Sequence, residues 1–442
     1  MVADSLKSSE TFWEYFMRSR LLKIALAFNL IYFFGVLVSF AIIFLHGSIF
    51  DTVFIVDFRV FYESGQVFTQ TPGQIYAVNP NGLPFRYFPS FAAYMAIFSS
   101  IPMIPLYLIN ISFMMLCNVG IVYLVYQICI QKEVKTQTKN FERTLVFVFI
   151  APQHIVNIMF GQITQLAILF MLIALTILQS NDRNTIQWYF IVGLLIGLAS
   201  TIKPFFLVFF PFLIPISIGG RFGISMSLRH LVGVSIGFIL TMIPNFVFFV
   251  FYPNALGEFL AINLMQTLTG QHSTSLTNLI LFFVPNMFLI KLGIITVIGG
   301  VIFFKSYCRF IRTPQMTKSY LQHFTEMAFL VLLVYPDSWF LFLAVWYAFL
   351  APSMLSLYSS PLKSKEEMRT LDLIWSGSNN LLAFFWIGII IHYLILGFDP
   401  IVPIWLLILY ILYQRVVRKI EMPQNTTCTD KYLYQNEDCT DF

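Results

Sequence analysis

A chain of 442 residues that is 58% hydrophobic and 11% charged, with 50 phenylalanines and a mean hydropathy of +0.79, does not fold as a soluble globule. This composition defines an all-α, polytopic helical membrane protein and excludes a soluble enzyme. The formal net charge of +5 carries topology rather than pointing to a nucleic-acid partner, because lysine and arginine gather in the loops expected to face the cytoplasm.

Residues 1–20 read as a cytoplasmic N-terminus carrying Lys7, Arg18 and Arg20. With no small-residue cleavage site, Leu21 to about Leu45 is expected to be a retained first membrane helix, not a signal peptide. An outer loop, 46–105, follows with Asp51, Asp57, Arg59, Glu63 and Arg86, and with turn signals at Pro72-Gly73 and Asn79-Pro80-Asn81-Gly82. Its apolar run Tyr87–Ile101 is closed by Pro102 and Pro105 and is too short to span comfortably. If it did span, the basic loop with Lys132, Lys135, Lys139 and Arg143 would fall outside, so a juxtamembrane or re-entrant helix is the consistent reading.

Further spans are predicted near 106–130, 145–160, 162–180, 187–202, 205–220, 231–252, 286–305, 324–336, 339–358, 379–397 and 401–415, about twelve with the first. A second outer loop, 253–285, contains Glu258 and the polar run Gln266–Ser275. The transmembrane domain thus covers 21–415, and 416–442 is a polar cytoplasmic tail expected to be disordered. Cys117, Cys129, Cys308, Cys428 and Cys439 offer no CxxC and no Cys/His spacing suited to zinc.

Several short motifs share one order with a known family. Asp57 with Tyr62, Gly65 and Tyr76, followed by Arg86-Tyr-Phe-Pro-Ser90, resembles the Asp…Tyr…Gly…Pro-Tyr loop and aromatic-Tyr-Pro-Pro segment of glycosyltransferase family 87, the polyprenol-phosphate-sugar-dependent transferases of the GT-C superfamily. Gly161-Gln162 resembles the family's Gly-Gln-Asn element. Gly193-Leu-Leu-Ile-Gly197 with Ile202-Lys-Pro204 resembles its Gly-rich helix ending in Lys-Pro. Gly270-Gln-His-Ser-Thr-Ser-Leu276 and Tyr335-Pro-Asp-Ser-Trp339 resemble its Gly-Asn-Gln-Ser-Leu loop and its Ser-Pro-x-Ser-Trp turn. The resemblance runs over roughly 20–400, with departures at Pro89-Ser90, Thr164-Gln165 and Tyr335-Pro-Asp337.

That resemblance implies a multi-pass GT-C fold that moves a hexose, mannose being the expected one, from a polyprenyl-phosphate donor to a glycolipid or glycan acceptor at the outer membrane face. In a prokaryote this would be the plasma membrane. Direct displacement needs one general base, whereas retention by double displacement needs a second carboxylate about 5 Å away. Asp57 is the candidate base, so inversion is expected; its rival role is the N-cap of a helix over Phe58–Val67. Asp51 and Asp337 are alternative bases.

For the leaving phosphate the outer side supplies Arg59, Arg86, Lys203 and His272, each of which has a simpler reading as a headgroup-snorkelling or solvated side chain. Gln162 and Gln271 are candidates for sugar or phosphate contact together with Tyr62. Helix–helix hydrogen bonding competes for Gln162, Gln165, His154 and Asn157, and an interfacial belt competes for Tyr62, Tyr76, Tyr87, Trp339 and Trp346. Asp57-Phe-Arg59 stands where GT-C enzymes with a divalent ion often carry Asp-x-Asp, so neither a metal nor another cofactor is expected. The rival class is a lipid or lipid-linked-sugar flippase, which would be expected to show inverted halves with interrupted helices near the midplane.

Overall fold

The computed structural model describes residues 11–45, 55–132, 134, 139–180, 185–214, 216–218, 224–265, 275–283, 288–313, 319–335, 338, 340–360, 364–396 and 401–434. Its helices are, in chain order, α1 (Phe12–Arg18), α2 (Arg20–Leu45), α3 (Val56–Gln70), α4 (Pro89–Ile97), α5 (Met103–Gln131) and α6 (Lys139–Ile150). Then come α7 (Pro152–Phe160), α8 (Thr164–Gln179), α9 (Ile186–Ile202), α10 (Leu228–Phe251), α11 (Pro253–Leu260) and α12 (Leu276–Phe283). The last six are α13 (Phe288–Ile294), α14 (Gly300–Arg312), α15 (Tyr320–Val334), α16 (Leu343–Ser359), α17 (Lys365–Leu396) and α18 (Ile401–Tyr434).

The protein is an all-α integral membrane protein. Among the described residues, six helical stretches are long and apolar enough to cross a bilayer: Arg20–Leu45, Met103–Gln131, Lys139–Phe160, Leu228–Phe251, Leu292–Arg312 and Ile401–Lys419. Shorter apolar helices, including α8, α9, α15 and α16, pack among them. Side chains such as Ile31, Leu45, Val250 and Phe251 are more than two-thirds exposed, at 73%, 80%, 78% and 74%. Large apolar groups turned outward along whole helices fit a hydrocarbon surround, not water.

Local signals set several boundaries. Thr11 and Glu14 form a capping box before α1: the Glu14 amide donates to Thr11 Oγ1 at 3.3 Å and the Thr11 amide to Glu14 Oε2 at 2.7 Å. Prolines open α4, α7 and α11 at the first turn, where a missing N–H costs nothing. With nine residues, α4 is about 14 Å long and does not cross. Inside the bilayer Asn29 ties α2 to α6 by donating to the Phe149 carbonyl at 3.1 Å.

The stretch 205–220 differs from the expected membrane helix. Pro204–Leu213 is a 3₁₀ helix, and a small antiparallel hairpin follows, β1 (Ile216–Ile218) against β2 (Ile224–Met226). Pro204 and Pro211 each remove a helix donor, and Ile216 and Ile218 favour extended backbone. At the other end α18 continues past Lys419 to Tyr434, where the polar tail suggested no structure; extending a helix already nucleated in the bilayer costs little per residue.

Helices α9 and α10 pack backbone to backbone, and the sequence shows why. Gly193 and Gly197 on α9 face Gly233 and Gly237 on α10, both pairs at a spacing of four. A Cβ on Gly193 would collide with the Val234 carbonyl, and one on Gly237 with the Phe190 carbonyl. With no side chain between them the two backbones touch, the small-xxx-small mode of membrane packing. Gly237→Leu is expected to destabilise the protein by at least about 1–3 kcal/mol through overpacking. Gly35→Leu, where a Cβ meets nothing within 4 Å, should leave the unfolding midpoint unchanged in the same detergent-melting series.

Candidate active site

The site begins with a strained residue. Ile55 precedes α3 with φ at 56°, a left-handed conformation that a β-branched residue adopts only under constraint. The constraint is visible: Ile55 is buried, and its amide donates to the Met159 carbonyl at the end of α7 at 3.2 Å. Val56 therefore starts the helix and Asp57 is its second residue. The rival capping role of Asp57 does not hold, because Ile55 occupies the N-cap position and no side chain caps the end.

A second left-handed residue faces the first. Gly161 ends α7 with φ at 72°, and a Cβ there would lie 2.5 Å from Phe58 Cβ and 3.0 Å from the Tyr107 ring. Only glycine lets the chain turn here against α3 and deliver Gln162 beside Asp57. From the other side α9 ends at Ile202, and Pro204 stops the helix so that Lys203 points across the gap.

These segments enclose a cleft of about 80 Å³ with an open mouth, lined by Asp57, Arg86, Tyr87, Gln162, Lys203 and Tyr335 together with an apolar wall that includes Phe205 and Phe342. Lys203 is only 4% exposed. Its Nζ donates to Gln162 Oε1 at 2.9 Å and to the Tyr87 hydroxyl at 3.0 Å, and lies 4.8 Å and 5.0 Å from the Tyr87 and Phe342 ring centres. Gln162 spends its carbonyl on Lys203 and hydrogen-bonds Asp57 from its other side.

Asp57 is half-buried on α3, which does not cross the membrane. Its Oδ2 is buried without a hydrogen-bond partner among the described residues. Burial raises the carboxyl above its ordinary range, while the charge of Lys203 and the hydrogen bond from Gln162 draw it part of the way back. A carboxylate with one unsatisfied oxygen, an ammonium within range of its charge, and an amide between them form a site able to take a proton and hold an anion.

The expected site residues divide. Asp57, Arg86, Gln162 and Lys203 meet in the cleft. Arg59 is not among the lining residues; its Nε binds Glu63 at 2.6 Å one turn along α3. Tyr62 donates to the Ile101 carbonyl at 3.1 Å and ties α3 to the chain after α4. Gln165 donates to the His154 carbonyl at 3.2 Å, behind the cleft. Asp51, Gln271, His272 and Asp337 lie outside the described residues. Tyr87, Phe205, Tyr335 and Phe342 were not singled out as site residues; Tyr87 and Tyr335 do fall inside the quoted motifs, which was the available signal.

Outward-apolar helices around a cleft with a half-buried acid and a buried cation define a membrane-embedded protein with a polar site. The chain belongs to glycosyltransferase family 87, whose model matches residues 85–336, and it is a glycosyltransferase. No curated protein and no solved structure shows a significant match to it. Arg86, Tyr87, Gln162, Lys203 and Tyr335 fall within the matched segment; Asp57 precedes it.

Replacing Lys203 by Met keeps the bulk of the side chain and removes the charge. Sugar transfer is expected to fall about 10²–10³-fold, the usual effect of deleting one donor to a developing charge. Losing the cation also removes a force that lowers the Asp57 pKa. The acidic limb of the pH–rate profile should therefore move to higher pH in Lys203→Met, and an unmoved limb would dissociate the two groups.

Proposed function

We propose that the protein is an inverting transferase that moves a hexose, mannose being the first to test, from a polyprenyl-phosphate donor to a hydroxyl of a glycolipid or glycan acceptor on the non-cytoplasmic face. The observation that carries this reading is the pairing of a partnerless Asp57 oxygen with buried Lys203 in one cleft. A donor carried on a lipid arrives through the bilayer, which suits a chain whose site lies among lipid-exposed helices.

In the proposed step, Asp57 accepts the proton of the acceptor hydroxyl as its oxygen attacks the anomeric carbon. The bond from that carbon to the phosphate oxygen breaks, and its electron pair leaves with the phosphate. Lys203, with Arg86 on the same wall, balances the charge that builds there. Gln162 bridges base and cation and holds their separation. No second carboxylate shares the lining among the described residues, which supports single displacement with inversion.

Metal independence belongs to the same proposal. The third position of the Asp57-Phe-Arg59 triplet carries a cation committed to Glu63, a poor arrangement for a divalent ion. Transfer should survive EDTA, and loss of activity restored by Mg²⁺ or Mn²⁺ would reject this part.

The main test is radiolabel transfer from polyprenyl-phosphate-mannose to lipid extract by protein in nanodiscs. Asp57→Asn is expected to abolish transfer and retain donor binding. Because burial raises the Asp57 pKa in the fold, the ionised carboxylate is disfavoured there and stability declines as pH rises through the ordinary carboxylate range towards the raised value. At neutral pH Asp57→Asn should therefore melt no lower than wild type. Wild-type transfer should fall as pH drops through that raised value. Equal transfer by wild type and Asp57→Asn would remove Asp57 from the reaction.

A further inference from the structure

A second cavity lies at the opposite end of the bundle. It runs between α14 and α18, both of which pack on α15, and is lined by Val301, Ile302 and Lys305 on one side and by Tyr410, Ile411, Gln414, Arg415 and Arg418 on the other; it measures about 400 Å³. Its position follows from α15. Tyr335, just after that helix, lines the catalytic cleft, whereas His323 near its start contacts Ser306 of α14 at 3.1 Å. Fifteen residues of helix place the two ends roughly 20 Å apart.

The groove is graded along the helices. Val301, Ile302 and Ile411 lie toward the interior of the two spans, Leu292–Arg312 and Ile401–Lys419, and the cations Lys305, Arg415 and Arg418 lie toward their ends. Arg415 is engaged by Glu366, which Lys419 also approaches at 3.6 Å. Lys305 and Arg418 have no acidic partner among the described residues, and both are exposed. Beneath them Glu326 is fully buried, bound by Arg309 and by the Ser306 hydroxyl, with His323 Nδ1 3.8 Å away, and Arg309 reaches Gln414 at 3.4 Å. Glu326 is thus already neutralised, and among the described residues the groove's own lining holds cations and no acid.

We propose that this groove binds an anionic membrane phospholipid, with the phosphate headgroup on Lys305 and Arg418 and an acyl chain along Val301, Ile302 and Ile411. The order of the lining, apolar inward and cationic at the face, matches the order of parts in such a lipid. By the positive-inside rule this face belongs to the cytoplasmic leaflet, where anionic lipids attract basic groups. A lipid there fills the gap between two helices that both pack on α15 and are bridged by Arg309 and Gln414. The proposal does not depend on the sugar-transfer chemistry.

The test compares delipidated protein returned to phosphatidylcholine bilayers with protein in bilayers containing phosphatidylglycerol, scored by melting temperature and by lipid retained in native mass spectrometry. Phosphatidylglycerol should raise the wild-type melting temperature and remain bound, and the gain should shrink at high salt. In Lys305→Gln with Arg418→Gln the gain and the retained lipid should be lost while the melting temperature in phosphatidylcholine is unchanged. Lys305→Arg should keep both, which guards against a double variant that merely folds poorly. A gain of equal size in the double variant would overturn the site, and a gain from inorganic phosphate alone would overturn the lipid.

Discussion

A lysine ammonium buried to 4% exposure is the constraint around which the rest of this molecule is arranged. Moving such a charge out of water is costly, and it persists only where hydrogen bonds and opposite charge compensate it. Lys203 receives that compensation from four directions: the Gln162 carbonyl, the Tyr87 hydroxyl, two aromatic faces, and the carboxylate of Asp57 at longer range. They come from four separate segments of chain, with Tyr87 giving both its hydroxyl and one of the faces and Phe342 the other. To keep one ammonium in the cleft, the fold must bring α3, the turn after α7, the strand of chain before α4 and the end of α9 into register.

Two backbone devices set that register. The glycine faces of α9 and α10 allow direct backbone contact, so α9 has one seating depth and Lys203 at its end has one position. On the opposite wall the strained Ile55 and the left-handed Gly161 interlock, with Phe58 against the glycine and Met159 holding the Ile55 amide. Strain of about 1–3 kcal/mol at Ile55 is tolerable because burial and the hydrogen bond leave it no alternative. The result is an acid and a cation held apart by an amide rather than collapsed into an ion pair.

Much of this could be read before any coordinates. Hydropathy marked the six long apolar helices found among the described residues, because a span of about 20 apolar residues has few other uses. Asp57, Arg86, Gln162 and Lys203 stood out because polar groups are scarce in such a chain and each sits at a break between apolar runs. Arg59 stood out for the same reason, yet an i,i+4 carboxylate at Glu63 captures it, a contact visible in the sequence once α3 is known to begin at Val56. The aromatic box around Lys203 was not legible, since Tyr87 and Phe342 are 255 positions apart and nothing local distinguishes them from dozens of packing aromatics. The 205–220 segment was misread because hydropathy averages over a window and does not register two prolines.

The same burial that makes Asp57 expensive to ionise also makes it useful. A carboxylate in water is a weak base, and one whose conjugate acid is held above the ordinary range takes a proton more readily once ionised. Lys203 limits the rise. An anionic phosphate entering the cleft would draw on Lys203 in turn and weaken its hold on Asp57, raising the basicity of the carboxylate when the donor is in place. In the proposed reaction, binding of donor and strengthening of the base are one electrostatic event, and the Gln162 amide, bonded to both groups, lies between them.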